Sequence, residues 1–223
     1  MLRTALLSLV MLLAGWAAAG WLTHDFQVWT DEGARRLEVA LRPVPMPAVQ
    51  AQDGAGRQTA LPALLAGVPE QAGAPQQSRG GATIVDFFYT YCETICLSLG
   101  SSFQQLQAAL QADMAAGQDS GVRLLSISFD GTRDDAPALR RYAHGLRAED
   151  GLWRFVRVPD AREEQALLAH LGVVVIPDGR GDYEHNAALL VFDAAGRMRR
   201  VFDLAEQQLA LDYARHLARK GSP

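Results

Sequence analysis

Residues 83–99 read Thr-Ile-Val-Asp-Phe-Phe-Tyr-Thr-Tyr-Cys-Glu-Thr-Ile-Cys-Leu-Ser-Leu. The first seven residues are β-branched, aromatic or apolar except for Asp86, a composition typical of a buried central strand. Apolar residues then recur at steps of three or four, which predicts an amphipathic helix; they are Leu99, Phe103, Leu106, Leu110 and Met114. A strand, two thiols and a helix in this order are typical of a redox or soft-metal site on an α/β scaffold.

Cys92 and Cys96 are the only cysteines of the chain. Positions i and i+4 of a helix lie on one face, with Cβ atoms about 5–6 Å apart, so two thiols in a first turn can point to one place. The positive end of the helix favours thiolate, the form that attacks disulfides and binds soft metals such as Cu(I). Two thiolates are too few for a closed structural zinc site. The open alternatives are a redox-active pair, a metal site with a third ligand, a structural disulfide, and buried unreactive thiols.

His185 is the candidate third ligand. It ends the polar, Gly-rich loop 177–186, immediately before a predicted core strand. In a thioredoxin-like sheet this loop lies beside the dithiol, at the end where ligands gather. A lone loop histidine is more often simply exposed, and only its position favours His185 as a ligand. The other histidines lie beside the apolar N-terminal segment or in predicted helices, where we interpret them as solvated or capping residues: His24, His144, His170 and His216.

Length and composition describe one globular domain with an extension. The chain has 223 residues, of which 49% are hydrophobic and 21% charged. The formal net charge is −4, and nothing in the sequence predicts the basic face that a nucleic-acid partner requires. We therefore expect no nucleic acid among its partners.

An apolar run at residues 5–22, broken only by Ser8, is long enough to span a membrane. Arg3 before the run and Asp25 after it orient the N-terminus toward the cytoplasm. We expect an uncleaved single-pass anchor in the inner (cytoplasmic) membrane, with the domain on the periplasmic side. The small residues 17–19 make a cleaved signal peptide the alternative. Both place the cysteines where disulfides persist.

The predicted organisation is a membrane anchor at 1–23, a linker at 24–47 and one α/β domain at 48–223. The Pro-rich residues 42–47 favour extended backbone. An Asp-Gly signal predicts a small hairpin at 48–59, and a flexible insertion follows at 67–81.

Alternating strands and helices fill the rest of the predicted domain. Short strands are predicted at 122–128 and 155–158, a hairpin at 188–192 with 198–202, and helices at 136–147, 161–171 and 205–219. Asp135 is the predicted cap of the first of these helices, whereas Leu209, Tyr213 and Leu217 are the predicted buried face of the last. The acidic loop 130–135 is interpreted as a solvated turn.

Three segments together resemble the SCO/SenC family of membrane-anchored, thioredoxin-like copper proteins, over roughly residues 48–219. The family typically reads Thr-His-Cys-Pro-Asp-x-Cys-Pro after its central strand, and residues 90–97 read Thr-Tyr-Cys-Glu-Thr-Ile-Cys-Leu. Its loop Ser-x-Asp-Pro-x-Arg-Asp is similar to residues 128–134, Ser-Phe-Asp-Gly-Thr-Arg-Asp. Its copper histidine, in Asp-His-Ser or Asp-His-Thr before a strand, is similar to residues 184–186, Glu-His-Asn, and an Asp-x-x-Gly turn follows at 193–196.

The resemblance implies a thioredoxin-like fold, with a central mixed sheet flanked by helices. It also implies a metallochaperone that holds one copper ion, Cu(I) or Cu(II), with Cys92, Cys96 and His185. The implied partner is cytochrome c oxidase, at the binuclear copper site of subunit II, or another copper protein.

The chain departs from the family motif around the cysteines. Glu93 and Leu97 replace the two prolines, Thr94 replaces the aspartate, and Tyr91 replaces the histidine. The three implied ligands are unchanged. Glu93 adds negative charge, which tends to raise thiol pKa values.

Two other functions stay open. In the first, the protein is a membrane-tethered thiol-disulfide oxidoreductase that reduces the cysteines of an oxidase subunit, with Cys92 as nucleophile and Cys96 as resolving thiol. Whether the protein is an enzyme depends on this alternative. In the second, it is a tethered interaction domain that has kept the fold and lost the chemistry.

Overall fold

The computed structural model describes residues 2–23, 25–26, 28–65, 81–91 and 95–220, except for the side chains of residues 31 and 95–98. His24, Cys92 and all but the last residue of the predicted insertion at 67–81 lie outside the described residues. The helices are α1 Leu2–Leu22, α2 Asp31–Leu41, α3 Leu61–Leu65, α4 Ile95–Ala115, α5 Ala136–Gly145, α6 Ala161–Leu171 and α7 Gln207–Lys220. The strands are β1 Val44–Pro45, β2 Gln50–Asp53, β3 Gln58–Ala60, β4 Ala82–Phe88, β5 Val122–Ser128, β6 Trp153–Arg157, β7 Val175–Pro177, β8 Tyr183–His185, β9 Leu189–Asp193 and β10 Arg197–Phe202.

A mixed sheet of eight strands forms the centre of the fold, in the order β1-β10-β9-β4-β5-β6-β2-β3. β4, β5 and β6 run parallel to one another, while β9 runs antiparallel to β4. Every residue of β4 is buried, which agrees with the uninterrupted apolar run that predicted a central strand. The predicted central mixed sheet is confirmed.

Alternate residues of β4 face opposite layers of the fold. Asp86 and Phe88 line a narrow cavity with Leu99 of α4 and Tyr142 of α5. Phe87 faces the other side, where it lies close to Val173, after α6. The central strand is therefore covered on both faces, as expected for parallel strands.

Most predicted elements lie within one or two residues of the observed ones. Asp135 accepts a hydrogen bond from the Ala138 amide at 2.8 Å and caps α5 as predicted.

The buried faces of two helices differ from the predicted ones. Met114, the last residue of the predicted α4 stripe, is exposed. The predicted face of α7 is correct only in part, because Tyr213 and Leu217 are half-buried against the core whereas Leu209 is 59% exposed. The fully buried residues of the helix form a neighbouring stripe that consists of Ala210, Leu211, Ala214 and Ala218. Small residues on that stripe let α7 approach the sheet closely.

The N-terminal segment contains two helices. α1 is long and apolar enough to cross a membrane, and a signal sequence would pass the same test. α2 was not predicted; it lies within the predicted linker 24–47 and packs on β10. Thr30 caps it by accepting from the Gly33 amide at 3.0 Å. Arg35 of α2 donates to the Leu171 carbonyl at 2.8 Å. The boundaries predicted for anchor, linker and domain stay a prediction.

Candidate metal and thiol site

The sheet topology brings three segments to one end of the molecule. β4 and β5 are parallel, so the residues that follow them, including Tyr91 and Phe129, leave the sheet at the same end. β9 pairs antiparallel with β4, with Val85 opposite Leu190. The residues that precede β9, including His185, therefore lie at that same end.

The two cysteines are only partly covered by the described structure. Cys92 lies outside the described residues. Cys96 is the second residue of α4, and its side chain is not described. A helix that begins at Ile95 puts Cys96 in the first turn, where the helix dipole favours a thiolate. A common site for both sulfurs and the imidazole stays a prediction.

His185 is half-buried at the end of β8, opposite Val175 of β7. The structure thus places it in a two-stranded hairpin, within the segment that the sequence analysis assigned to a polar loop. The centroid of its ring is 4.9 Å from that of Phe129. Burial lowers the pKa of His185. A lowered pKa favours the neutral imidazole, which is the form that binds metals.

An aromatic cluster joins the end of β4 to the His185 hairpin. Tyr89 is buried, and its ring centroid is 5.1 Å from Phe129 and 5.2 Å from Tyr183. Tyr183 meets Phe129 edge-on at 5.6 Å. Edge-to-face aromatic pairs of this kind stabilise a packing beyond the area that they bury. Tyr89 is three residues before Cys92 and Tyr183 two before His185, so the cluster ties both chain segments together.

Asp134 holds the backbone just before Cys92. One of its carboxylate oxygens accepts from the Thr90 amide at 3.0 Å and from the Ser128 hydroxyl at 2.6 Å. The other accepts from the Thr90 hydroxyl at 2.6 Å. Desolvation raises the pKa of Asp134, although these hydrogen bonds oppose the shift. The interpretation of 130–135 as a solvated turn is wrong, because Asp130 and Asp134 are both buried.

Gly131 lies too close to its neighbours in this structure for a side chain to fit without a shift. Its amide donates to the Glu164 carboxylate at 2.7 Å, and its carbonyl accepts from Arg157 at 2.6 Å. A Cβ at this position would overlap the Val158 carbonyl oxygen and the Glu164 carboxylate. Burial raises the pKa of Glu164 to about 7, and the nearby Asp130 and Asp134 add to the shift. In the sequence, this loop was recognisable only by its similarity to the family's Ser-x-Asp motif. That similarity did not predict the contacts of Gly131, Asp134 or Glu164.

Within the described part of the chain, no three His, Cys, Asp or Glu side chains are grouped so that they could hold a metal ion. The described residues include His185 but neither cysteine side chain. The predicted ligand set is therefore neither assembled nor excluded by the described residues.

Comparisons with known proteins agree with the fold. The SCO1/SenC family model matches residues 65–219. The SCO1 protein homolog of Bacillus subtilis is 25% identical over 130 residues, which cover 57% of this chain and 65%, just under two thirds, of that protein.

Solved structures of Sco proteins resemble the chain over most of its length. BsSco, a member of the Sco family of cytochrome c oxidase assembly proteins with a disulfide switch, has a TM-score of 0.63 and 18% identity, and the match covers 80% of this chain and 95% of that one. Bradyrhizobium japonicum ScoI with copper bound gives 0.56 and 20%, covering 78% and 97%. Yeast Sco1 with copper bound gives 0.58 and 16%, covering 77% and 86%. At these identities the likeness shows the fold, and the predicted thioredoxin-like fold is confirmed.

Proposed function

We propose, from the premise that this chain belongs to the SCO1/SenC family, that it carries copper for the assembly of cytochrome c oxidase. In this proposal Cys92, Cys96 and His185 hold one copper ion as cargo. The observation that best supports this proposal is the aromatic cluster, in which the Tyr89 ring contacts the rings of both Phe129 and Tyr183. That cluster joins the chain just before Cys92 to the hairpin that ends at His185.

The proposed donor set fits copper. Two thiolates favour Cu(I), and an added imidazole also suits Cu(II). Burial lowers the pKa of His185, which favours the neutral ring that binds metals. The buried Phe129 ring packs beside the imidazole and covers part of it.

The proposed setting is the periplasmic side of the inner membrane. α1 is the candidate single-pass anchor, and Arg3 before it is consistent with a cytoplasmic N-terminus. The proposed recipient is the binuclear copper site of oxidase subunit II, or another copper protein. If α1 is instead a signal peptide, the same site lies in the same compartment without a tether.

Metal analysis of the full chain purified in detergent tests this proposal. We expect one copper per chain, lost in Cys92→Ala and Cys96→Ala, and a clearly weaker affinity in His185→Ala. His144→Ala and His216→Ala are matched controls, because both histidines are exposed on helices, and we expect them to bind like the unmodified chain. Full copper content in the double cysteine variant would end the proposal.

A second candidate function is thiol-disulfide exchange, favoured by the position of Cys96 in the first turn of α4. Cys92 would attack a partner's disulfide and Cys96 would then displace the partner. The partner would leave with two thiols, while this chain would be left with a disulfide that needs an external thiol reductant. A redox titration of the copper-free chain, with a model disulfide as substrate, separates the two functions. Copper binding without any disulfide exchange would exclude this candidate.

A further inference from the structure

Arg133 lies in the loop between β5 and α5, and the backbone of this loop is held firmly. The amides of Arg133 and Asp134 both donate to the Asp130 carbonyl at 2.9 Å. Asp134 is tied to Thr90 and Ser128, and Gly131 is wedged against the Val158 carbonyl. The Arg133 side chain therefore starts from a fixed position at the end of the sheet that carries the candidate site.

The guanidinium group of Arg133 contacts both the β7–β8 hairpin and Tyr91, the residue before Cys92. Its Nη1 donates to the Gly181 carbonyl at 3.1 Å, across 48 residues of chain. Its central carbon is 5.3 Å from the Tyr183 ring centroid and 5.8 Å from that of Tyr91. Both distances are within the range of cation–π attraction. Nε donates to the Asp130 carboxylate, which keeps the charge in place.

The β7–β8 hairpin depends on such contacts. Its two strands form a sheet of their own, separate from the main one, with three paired positions. A two-stranded hairpin is marginally stable in water by itself. Its turn is exposed and has positive φ angles at Gly179 and Gly181. Contacts with the rest of the protein must therefore decide where the hairpin, and with it His185, lies.

We propose that Arg133 is a positioning residue that clamps the β7–β8 hairpin against the segment leading into Cys92. A lysine cannot replace it, because a planar guanidinium donates in several directions while it stacks on two rings, whereas an ammonium is a point charge on a flexible stem. The clamp does not require copper. Its consequence, that Arg133 sets the place of the His185 ring in a copper site, rests on the proposed function.

Hydrogen exchange of the copper-free full chain in detergent tests the clamp. We expect exchange in residues 175–185 to rise at least about tenfold in Arg133→Ala and Arg133→Lys, because the hairpin opens more often. Exchange in β4 should stay unchanged, which shows that the fold is intact. Arg197→Ala is the matched control: Arg197 also pairs with a nearby aspartate, Asp193, and its loss should leave residues 175–185 as protected as before.

Unchanged exchange of the hairpin in Arg133→Ala would overturn the clamp. If the alanine variant also loosens β4, the lysine variant decides: loss of protection confined to the hairpin supports the clamp, and equal loss in both regions overturns it.

The second readout is the paramagnetic resonance of added Cu(II). Altered nitrogen couplings in Arg133→Lys at unchanged copper content support the positioning of His185, and identical spectra despite a loosened hairpin overturn it. If the unmodified chain binds no copper, the proposed function fails, while the exchange data still decide the clamp.

Discussion

Two buried aspartates lie close to the same strand and differ in how their oxygens are used. Asp134 accepts three hydrogen bonds, from Thr90 and Ser128. Asp86, in the middle of β4, is also buried, but its Oδ1 has no hydrogen-bond partner among the described residues. Burial raises both pKa values, and it brings that of Asp86 to about 7 despite a hydrogen bond with Ser126.

Asp134 stabilises the loops around it through its hydrogen bonds, whereas the burial of Asp86 destabilises the fold because it is only partly compensated. Removing Asp134 leaves three donors without this acceptor, the buried Ser128 hydroxyl and the half-buried amide and hydroxyl of Thr90. An unpaired buried donor costs about 1–3 kcal/mol. Removing the charge of Asp86 leaves the strand packing in place and ends a desolvation cost. Mutations of these two buried residues are therefore expected to change the free energy of unfolding in opposite directions, because their hydrogen bonding differs. The following experiments test that contrast.

Asp134→Ala should have the largest effect. We expect it to lower the free energy of unfolding by about 4 kcal/mol, because the Thr90 amide and two hydroxyls lose their acceptor. Urea unfolding of the full chain in detergent measures this. Asp119→Ala is the control, since Asp119 pairs with Arg123 at the surface and its loss should cost under about 1 kcal/mol. Equal effects of the two variants would contradict the assigned role of Asp134.

Asp86→Asn should be stabilising, and its gain should grow as pH rises from about 4 to 7. The native pKa near 7 lies above the ordinary value of 3.8. The native state thus holds more protons than the unfolded state between these values, and wild-type stability falls as pH rises from about 4 to 7. A shift of this size corresponds to roughly 4 kcal/mol at most. Because the asparagine NH2 group would stand where Oδ1 has no partner among the described residues, we expect a gain of about 2 kcal/mol at pH 8 and little at pH 5.

Unfolding curves of the Asp86→Asn variant and the wild type, measured across this pH range, provide the check. Curves that stay parallel at every pH would mean that Asp86 does not titrate near neutrality in the folded protein. That result would contradict the proposed difference between Asp86 and Asp134 in their effect on stability.

Glu164→Gln should have the smallest effect. Glutamine keeps an oxygen that can accept from the Gly131 amide, so the loop retains its hydrogen bond. The native pKa of Glu164 is also raised to about 7, again mainly by burial. The variant should therefore gain at most about 1 kcal/mol at pH 8 and nothing near pH 4. A loss of stability at pH 8 would show that the charge itself supports the loop.

The chain order of strands and helices was predictable because periodicity is a property of neighbouring residues. The apolar run at 83–89 predicted β4, the apolar residues at steps of three or four from Leu99 predicted α4, and Asp135 predicted the start of α5. The same reasoning was only partly correct for the buried face of α7, where two adjacent stripes of apolar residues have helical spacing. Only packing against the sheet selects Ala214 over Leu209.

The candidate site was also predictable from the sequence only in part. The sequence by itself determined which residue types stand near the end of β4, and it identified Cys92, Cys96 and His185 as candidate ligands. The tertiary structure alone decided that Asp134 reaches Thr90, and that Arg133 reaches Gly181. These contacts join loops 44 and 48 residues apart in the chain. No local pattern encodes them, because they exist only where the sheet brings separate loops to one end.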